Sequence, residues 1–372
     1  MDAQSNSLNL STDLGSLPFD LAMLRANKLS EFGLGLTGPN PIVGAVILDR
    51  TGKEIANGFH SGGDHAEIVA IKNAEEKGVE DFSECTMVVT LEPCNHIGKT
   101  PPCTAALISA RFKRVVFAVS DPNSAAAGGV NKLEEAGIST ISGIQKEYVS
   151  YTNRAWLGKI AKGRPWVVTK IAATTDGKIA AQDGSSKWIT SQAARSDVAS
   201  LRNASDAIVT TTQTVLDDDP QLIPRFTFEQ PNKRIENPVR IVMGQRDISP
   251  QAKINDDSAP TKFIKNREIK DLLVLGTEAN WNQIMIEAGS KFNTALIAAG
   301  VIDEIVLYVA PTLLGSGTSF LNDLGVKNLG DGYKFSFGEI RRVGQDLKLQ
   351  LFPGQSRFAG IFDQGELIGG QI

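Results

Sequence analysis

All three cysteines and all three histidines of this 372-residue chain fall between His60 and Cys103. Within that window His65-Ala66-Glu67 precedes Pro93-Cys94 and Cys103, residue types that assemble a metal site beside one carboxylate. A catalytic zinc usually takes three protein ligands and leaves the fourth position to water, whose pKa falls to about 7. His65, Cys94 and Cys103 are the candidate ligands, because two thiolates and a neutral imidazole suit a borderline-soft ion. Glu67 is the candidate proton shuttle and not a ligand. The fold therefore has to bring segments well separated in sequence to one point.

His-x-Glu followed by Pro-Cys-x-x-Cys is the signature of zinc deaminases, in which an activated water displaces ammonia from an amino-substituted ring. Here Asn95-His96-Ile97-Gly98-Lys99-Thr100-Pro101-Pro102 stands between the cysteines, eight residues where the short form has two. A structural zinc site normally has four protein ligands, and Cys85, His60 or His96 would have to be the fourth. A Cys94–Cys103 disulfide is disfavoured by the odd cysteine count. Residues 1–20 also lack the basic start and apolar core of a signal peptide, so a reducing cytoplasm is expected. Cys85 reads as an ordinary buried thiol.

Apolar runs at 42–48 and 86–91 read as buried strands, and 67–74 and 104–110 as helices. This arrangement puts His65 and Cys103 at helix starts. A chain of this length suits two cores. An apolar fraction of 41% and a net charge of −4 favour small-molecule substrates over nucleic acid. No stretch reaches the roughly eighteen apolar residues that a membrane span needs. The boundary between the cores is expected near residue 150, with a helical stretch over 146–162. Beyond it, strands are expected at 167–172, 207–211, 239–243, 272–275, 283–286, 304–310 and 346–352, and helices at 192–202 and 291–299. The second domain is therefore α/β.

The whole chain, over roughly 18–352, resembles the bifunctional deaminase-reductase family of riboflavin biosynthesis. The first half carries its pattern in Asn40-Pro41-x-Val43-Gly44, Gly58-Phe59-His60, His65-Ala66-Glu67, and Thr90-Leu91-Glu92-Pro93-Cys94-x-His96-x-Gly98-Lys99-Thr100-Pro101-Pro102-Cys103. The eight-residue spacing is thus that family's own. The second half carries Lys170-Ile-Ala-Ala-Thr-Thr-Asp176-Gly177-Lys178, Trp188-Ile189-Thr190-Ser191, Thr214-Val215-Leu216-x-Asp218-Asp219-Pro220 and Glu287-Ala288-Gly289.

The resemblance implies an α/β fold in both halves. The first is a cytidine-deaminase-like three-layer α/β/α domain over 18–150. A linker helix over 151–164 follows, and then a dihydrofolate-reductase-like domain over 165–352. Residues 1–17 are expected to be a disordered tail and 353–372 a solvated one. The implied chemistry is zinc-dependent deamination of a pyrimidine ribosyl-phosphate, then NADPH-dependent reduction of its ribose. Deaminase substrate positions are Asn40 and His60. Ser186, Arg202, Leu222, Arg225 and Glu287 fall on reductase substrate positions. Ala172, Trp188, Thr214, Asp218, Gly289, Ser290, Lys291, Phe292, Asn293, Thr294 and Ala295 fall on cofactor positions. A homo-oligomer is expected.

Residue chemistry supports parts of this scheme. Gly289-Ser290 before a helix offers free N–H groups to a phosphate. Arg202 and Arg225 are candidates for bidentate pairing with the substrate phosphate. Lys170 and Asp176 are candidates for proton transfer to the ribose, the alternative being an ion pair on the strand edge. Three positions depart from the family. Ser124-Ala125-Ala126-Ala127-Gly128-Gly129-Val130 replaces a second proline and a Gly-x-Gly spacing, Met243-Gly244-Gln245 replaces an acidic-serine pair, and Ala172 replaces glycine. Rival readings are a deaminase whose second domain only binds nucleotide, a non-catalytic zinc-stabilised ribosyl-phosphate binding module, and a tRNA or free-nucleoside deaminase.

Overall fold

The computed structural model describes residues 17–96, 101–123, 128–226, 234, 236–356 and 358. The described chain forms two compact units, one holding the residues up to Gly33 with Ile42–Thr152, the other Leu34–Pro41 with Asn153 onward. Segment 34–41, expected in the first domain, thus groups with the second.

The first unit runs α1 (Leu17–Ser30), β1 (Gly44–Leu48), β2 (Glu54–Phe59), α2 (Ala66–Glu75), β3 (Thr86–Leu91), α3 (Cys103–Ser109), β4 (Arg114–Val119), α4 (Gly129–Glu135), β5 (Ser139–Ser142) and α5 (Lys146–Thr152). Its sheet has the order β2-β1-β3-β4-β5, antiparallel on the β1 flanks and parallel from β3 to β5. β1 and β3 are buried along their whole length, so they read as continuous apolar runs without a polar face. Alternate residues point to opposite faces. Ala45, Ile47, Met87 and Val89 join Ala66 and Ala70 of α2 and Leu107 of α3 in one core. On the other face α1 packs on β1 and β3. Its approach is so close that a Cβ on Gly44 would lie 2.0 Å from the Ala26 carbonyl oxygen.

The second unit continues with α6 (Arg154–Lys162), β6 (Trp166–Thr174), β7 (Lys178–Ala180), α7 (Gln192–Asn203), β8 (Ala207–Thr211), α8 (Thr212–Asp218), β9 (Val239–Met243), β10 (Thr261–Ile264), α9 (Ile269–Glu278), β11 (Gln283–Ile286), α10 (Ser290–Ala298), β12 (Glu304–Ala310), β13 (Thr318–Ser319), β14 (Phe335–Val343) and β15 (Asp346–Pro353). The main sheet has the order β10-β9-β8-β11-β6-β12-β15-β14. It is parallel from β10 to β12 and antiparallel at the β15 and β14 edge. The carboxyl ends of β6, β8, β9 and β11 open to one side, where α/β sheets bind ligands.

Three further expectations fail, and one strand was not foreseen. The apolar run 272–275 is helical and lies inside α9, with Leu272 and Gly276 buried while Val274 is 53% exposed. That i, i+4 burial pattern is a helix signal which four consecutive apolar residues conceal. The 146–162 helix is two helices split at Asn153, where ψ is 16°. α6 therefore belongs to the second unit and is not a linker. β14 was not anticipated, because a register shift between Phe337 and Ile340 breaks its alternation. Phe358, expected in a solvated tail, is buried and its ring lies 5.3 Å from that of Phe352. The expectations for 1–16 and 359–372 lie outside the described residues. Among those described, no helix is long and apolar enough to cross a membrane.

Candidate active sites

His65 immediately precedes α2 with an extended backbone (φ −69°, ψ 156°), and Cys103 is the first residue of α3. The chain leaving β3 through Glu92-Pro93 delivers Cys94 between them. His65 Nδ1 lies 3.2 Å from Cys103 Sγ and 3.6 Å from Cys94 Sγ, and the Cys103 N–H donates to Cys94 Sγ at 3.4 Å. All three donor atoms lie within 4.8 Å of one another. Among the described residues neither Cys85, His60 nor His96 joins this cluster, so a four-ligand structural site finds no support. All three cysteines are free.

The hydrogen bond from Cys103, and after it that from His65, draws the Cys94 thiol down to about 4 despite burial. Cys103 is pushed up by the same hydrogen bond and by burial. A thiolate, a second thiol able to surrender its proton and an imidazole converging on one point fit a zinc ion, whose binding releases ligand protons.

Glu67 follows one residue into α2 and is buried. Burial raises its pKa, so the carboxyl holds a proton more readily than an exposed glutamate. His60 is buried; its Nδ1 meets the Asp64 carbonyl at 2.9 Å, while Nε2 has no partner. Burial lowers its pKa and keeps the ring neutral. With Nδ1 donating to the carbonyl, Nε2 is left as a free acceptor, and the ring lies 5.5 Å from that of His65, centroid to centroid. Asn40 is exposed in segment 34–41, its carbonyl accepting from Thr37 Oγ1 and Asn282 Nδ2.

Glu92 was missed as a site residue. Its buried carboxylate accepts from the N–H of Asp121 and of Val130, both at 3.3 Å, tying the two ends of one loop beside Cys94. A Cβ on Gly129 would sit 2.1 Å from the Pro93 oxygen. Val130, where the family has glycine, therefore contributes its backbone. A glutamate at the end of an otherwise apolar strand was the available signal. Residues 97–100 and 124–127, which carry part of the linked motif and of the loop departure, lie outside the described residues.

The second unit holds an open cleft of about 1810 Å³. Most of the residues expected for its substrate and cofactor line it, with two exceptions, Thr294 and Asp176. The Thr294 hydroxyl bonds the Ser290 carbonyl and the Asn322 N–H. Asp176 accepts from Thr174 Oγ1 and from the N–H groups of Leu314 and Gly315, which keep it ionised while it pins the loop after β12.

Arg202 also differs from expectation. Its guanidinium fork grips Glu287, Nε to Oε1 at 2.5 Å and Nη2 to Oε2 at 2.9 Å, while Nη1 donates to the Ile223 carbonyl. The bidentate pairing expected for a phosphate is already given to a carboxylate. Burial works to raise Glu287, but Arg202 and then Lys170, 3.8 Å away, hold it at about 2. Burial lowers the Lys170 pKa, against the pull of Glu287, and a lysine so placed gives up a proton more readily. Arg225 is exposed and forms no ion pair within 4 Å among the described residues, although its charge also helps to hold Glu287 down. Leu222, three residues earlier, is buried with φ 52°, a strained conformation for leucine.

The Ser186 hydroxyl donates to Asp218 at 3.2 Å, linking a substrate position to a cofactor position. Arg195 stacks on Trp188 at 4.7 Å. The cleft has room for a dinucleotide phosphate at the start of α10, where Gly289 leaves open space in place of a Cβ.

Two chemistries are thus laid out on one chain, which defines a class: a metal-dependent deaminase joined to a dinucleotide-dependent reductase. The description "Cytidine and deoxycytidylate deaminase zinc-binding region" matches residues 20–119, and "RibD C-terminal domain" matches 165–349. The riboflavin biosynthesis protein RibD of Mycobacterium tuberculosis is 42% identical over 335 residues, covering 89% of this chain and 96% of its own. That of Escherichia coli is 38% identical, covering 88% and 98%. Among solved structures, RibD of Acinetobacter baumannii aligns with a TM-score of 0.81 at 34% identity, over 91% of this chain and 99% of that one. A Thermotoga maritima protein described as a diaminohydroxyphosphoribosylaminopyrimidine deaminase/5-amino-6-(5-phosphoribosylamino)uracil reductase aligns at 0.82 and 31%, over 91% and 100%. The chain belongs to the RibD family of riboflavin biosynthesis, bifunctional enzymes with a zinc-binding deaminase half and an NADPH-using reductase half.

Proposed function

We propose that the first unit deaminates 2,5-diamino-6-(5-phosphoribosylamino)pyrimidin-4(3H)-one and that the second reduces the ribosyl group of the product, 5-amino-6-(5-phosphoribosylamino)uracil, to ribityl. The observation that carries the reading is the convergence of His65, Cys94 and Cys103 beside buried Glu67. When bound, zinc supplies Lewis acidity to a water at its open coordination position. Glu67 would pass one proton of the attacking water to the ring nitrogen, and then carry the second, from the hydroxyl left on the ring carbon, to the amino group that departs as ammonia. The free Nε2 of His60 accepts a hydrogen bond from the pyrimidine, and Glu92 holds the loop that borders it.

In the second unit NADPH supplies the hydride. The segment from Gly289 to Ala295 holds the cofactor together with Ala172, Trp188, Thr214 and Asp218. Lys170 delivers a proton to the ribose oxygen, with Glu287, fixed by Arg202, keeping its ammonium in place. Arg225 takes the substrate phosphate, and Ser186 and Leu222 contact the sugar. A cytoplasmic setting and association of copies through the reductase half belong to the same reading; sedimentation of the purified protein tests the second.

Glu67→Ala should abolish ammonia release, by a factor on the order of 10²–10⁴, with zinc content and NADPH oxidation of directly supplied intermediate unchanged. Ammonia release that survives the substitution would remove Glu67 as the shuttle. Failure of the wild type to oxidise NADPH with the intermediate would favour a second half that only binds nucleotide.

A further inference from the structure

We propose that Arg240, which does not line the reductase cleft, is a positioning residue for the pyrimidine substrate: it fixes the backbone from which Leu222 and Arg225 enter the site. This rests on reading Leu222 and Arg225 as substrate contacts. Arg240 is the second residue of β9 and is fully buried. A guanidinium so placed loses its water and has to replace it with protein acceptors. Nη1 donates to the Gln221 carbonyl at 3.3 Å, the Lys253 carbonyl at 3.4 Å, the Asp256 carboxylate at 2.7 Å and Ser258 Oγ at 3.3 Å. Nη2 donates to the Asp256 and Ala259 carbonyls, both at 2.5 Å. One side chain thus joins segment 253–259 to Gln221.

Those bonds hold a strained stretch of chain. Asp219 at φ 43° and Leu222 at φ 52° both stand in the left-handed region, which a non-glycine residue keeps only where its surroundings over-determine it. The anchors are spaced along the segment. Lys253 holds the Asp219 carboxylate through its N–H at 2.8 Å and its ammonium at 3.2 Å. Arg240 takes the Gln221 carbonyl, and the Gln221 amide itself reaches the Asp256 carboxylate at 2.7 Å. Arg202 takes the Ile223 carbonyl at 3.0 Å. Leu222 is therefore bracketed by two carbonyls, each held by a guanidinium, while its side chain joins Ile208, Val215, Val242 and Ile254 in one apolar cluster.

Arg202 also grips Glu287 beside Lys170, so the segment is tied to the reacting end of the cleft at Ile223 and to the sheet at Gln221. Arg225 follows two residues after Ile223 and inherits its place from these two anchors. Without Arg240 the Gln221 end is free, Leu222 can leave its strained conformation, and Arg225 loses its fixed distance from Lys170. Among the described residues, no hydrogen bond of Arg240 reaches Trp188, Thr214 or the start of α10. Its loss therefore bears on the pyrimidine substrate and not on the dinucleotide.

Steady-state reduction of directly supplied 5-amino-6-(5-phosphoribosylamino)uracil by the zinc-loaded full chain tests this, with NADPH affinity measured by titration and ammonia release as a control. Arg240→Lys keeps the charge but loses the fork, and Asp256→Asn removes the carboxylate that Arg240 and Gln221 share. Each should raise KM for the pyrimidine about tenfold, with NADPH affinity within about twofold and ammonia release unchanged. A role in stability alone would instead lower kcat at constant KM, through fewer folded molecules, or weaken both ligands alike; either result, or a wild-type KM, would overturn the proposal. Asp256 is partly exposed, so Asp256→Asn decides the matter if Arg240→Lys does not fold. Arg225→Ala separates the two readings. A raised KM there beside a wild-type KM in the other variants overturns the positioning role alone, whereas an unchanged KM in Arg225→Ala overturns the substrate reading as well.

Discussion

At the scale of single residues, the carboxylates of Glu67 and Glu287 are driven in opposite directions by their surroundings. Burial of Glu67 outweighs the opposing pull of His65, so its pKa rises, which suits a group that must carry a proton in each cycle. Glu287 is partly buried, but Arg202 and Lys170 overcome the effect and hold it at about 2. The folded pKa of Glu287 is therefore below the unfolded value of about 4.3. Its contribution to stability is complete above pH 5 and drains away as pH falls toward 2. Glu287→Gln should flatten that part of the acid-denaturation profile of the reductase half, followed by the fluorescence of its tryptophans; an unchanged acid limb would mean that the Arg202 pair contributes nothing. The convergence of His65, Cys94 and Cys103 was legible in the sequence because zinc chemistry dictates residue types in a fixed order. The true partner of Arg202 was not, since Glu287 is 85 residues away and no local pattern distinguishes a guanidinium that grips a carboxylate from one awaiting a phosphate.

At the scale of elements, the deaminase site depends on how closely α2 lies on β2. A Cβ on Gly58 would fall 2.6 Å from Ala70 N and 2.7 Å from Ala66 O, and backbone atoms cannot swing aside. Gly58→Ala should cost about 1–3 kcal/mol of stability and, because α2 carries His65 and Glu67, weaken zinc binding. Thermal unfolding and metal titration read the two effects, and a variant with wild-type zinc affinity would show that the helix position is not what sets the site. Elements with a buried, unbroken apolar run, such as β1 and β3, were readable from composition alone. α9 was not, because Leu272-Leu273-Val274-Leu275 satisfies strand and helix equally until tertiary burial selects Leu272 and Gly276. β14 escaped for a related reason, since its bulge spoils the period-two pattern that marks a strand.

At the scale of the whole molecule, each unit has its own core and its own candidate site. The metal cluster lies wholly in the first and the cleft wholly in the second. Removing zinc with a chelator should therefore stop ammonia release and leave NADPH oxidation of directly supplied intermediate near its starting rate, with readdition of zinc restoring the first signal. Loss of both activities on chelation would mean that the halves do not work separately. The two-core organisation was expected from length and from the change of pattern near residue 150, whereas the transfer of segment 34–41 to the second unit left no local trace in the sequence. The most direct test of the account is a single-tube assay of purified, zinc-analysed protein given the diaminopyrimidine ribosyl-phosphate, following ammonia and NADPH together. The account predicts both signals from protein with about one zinc per chain, NADPH oxidation trailing ammonia release. Folded, zinc-loaded protein that gives neither signal would contradict it.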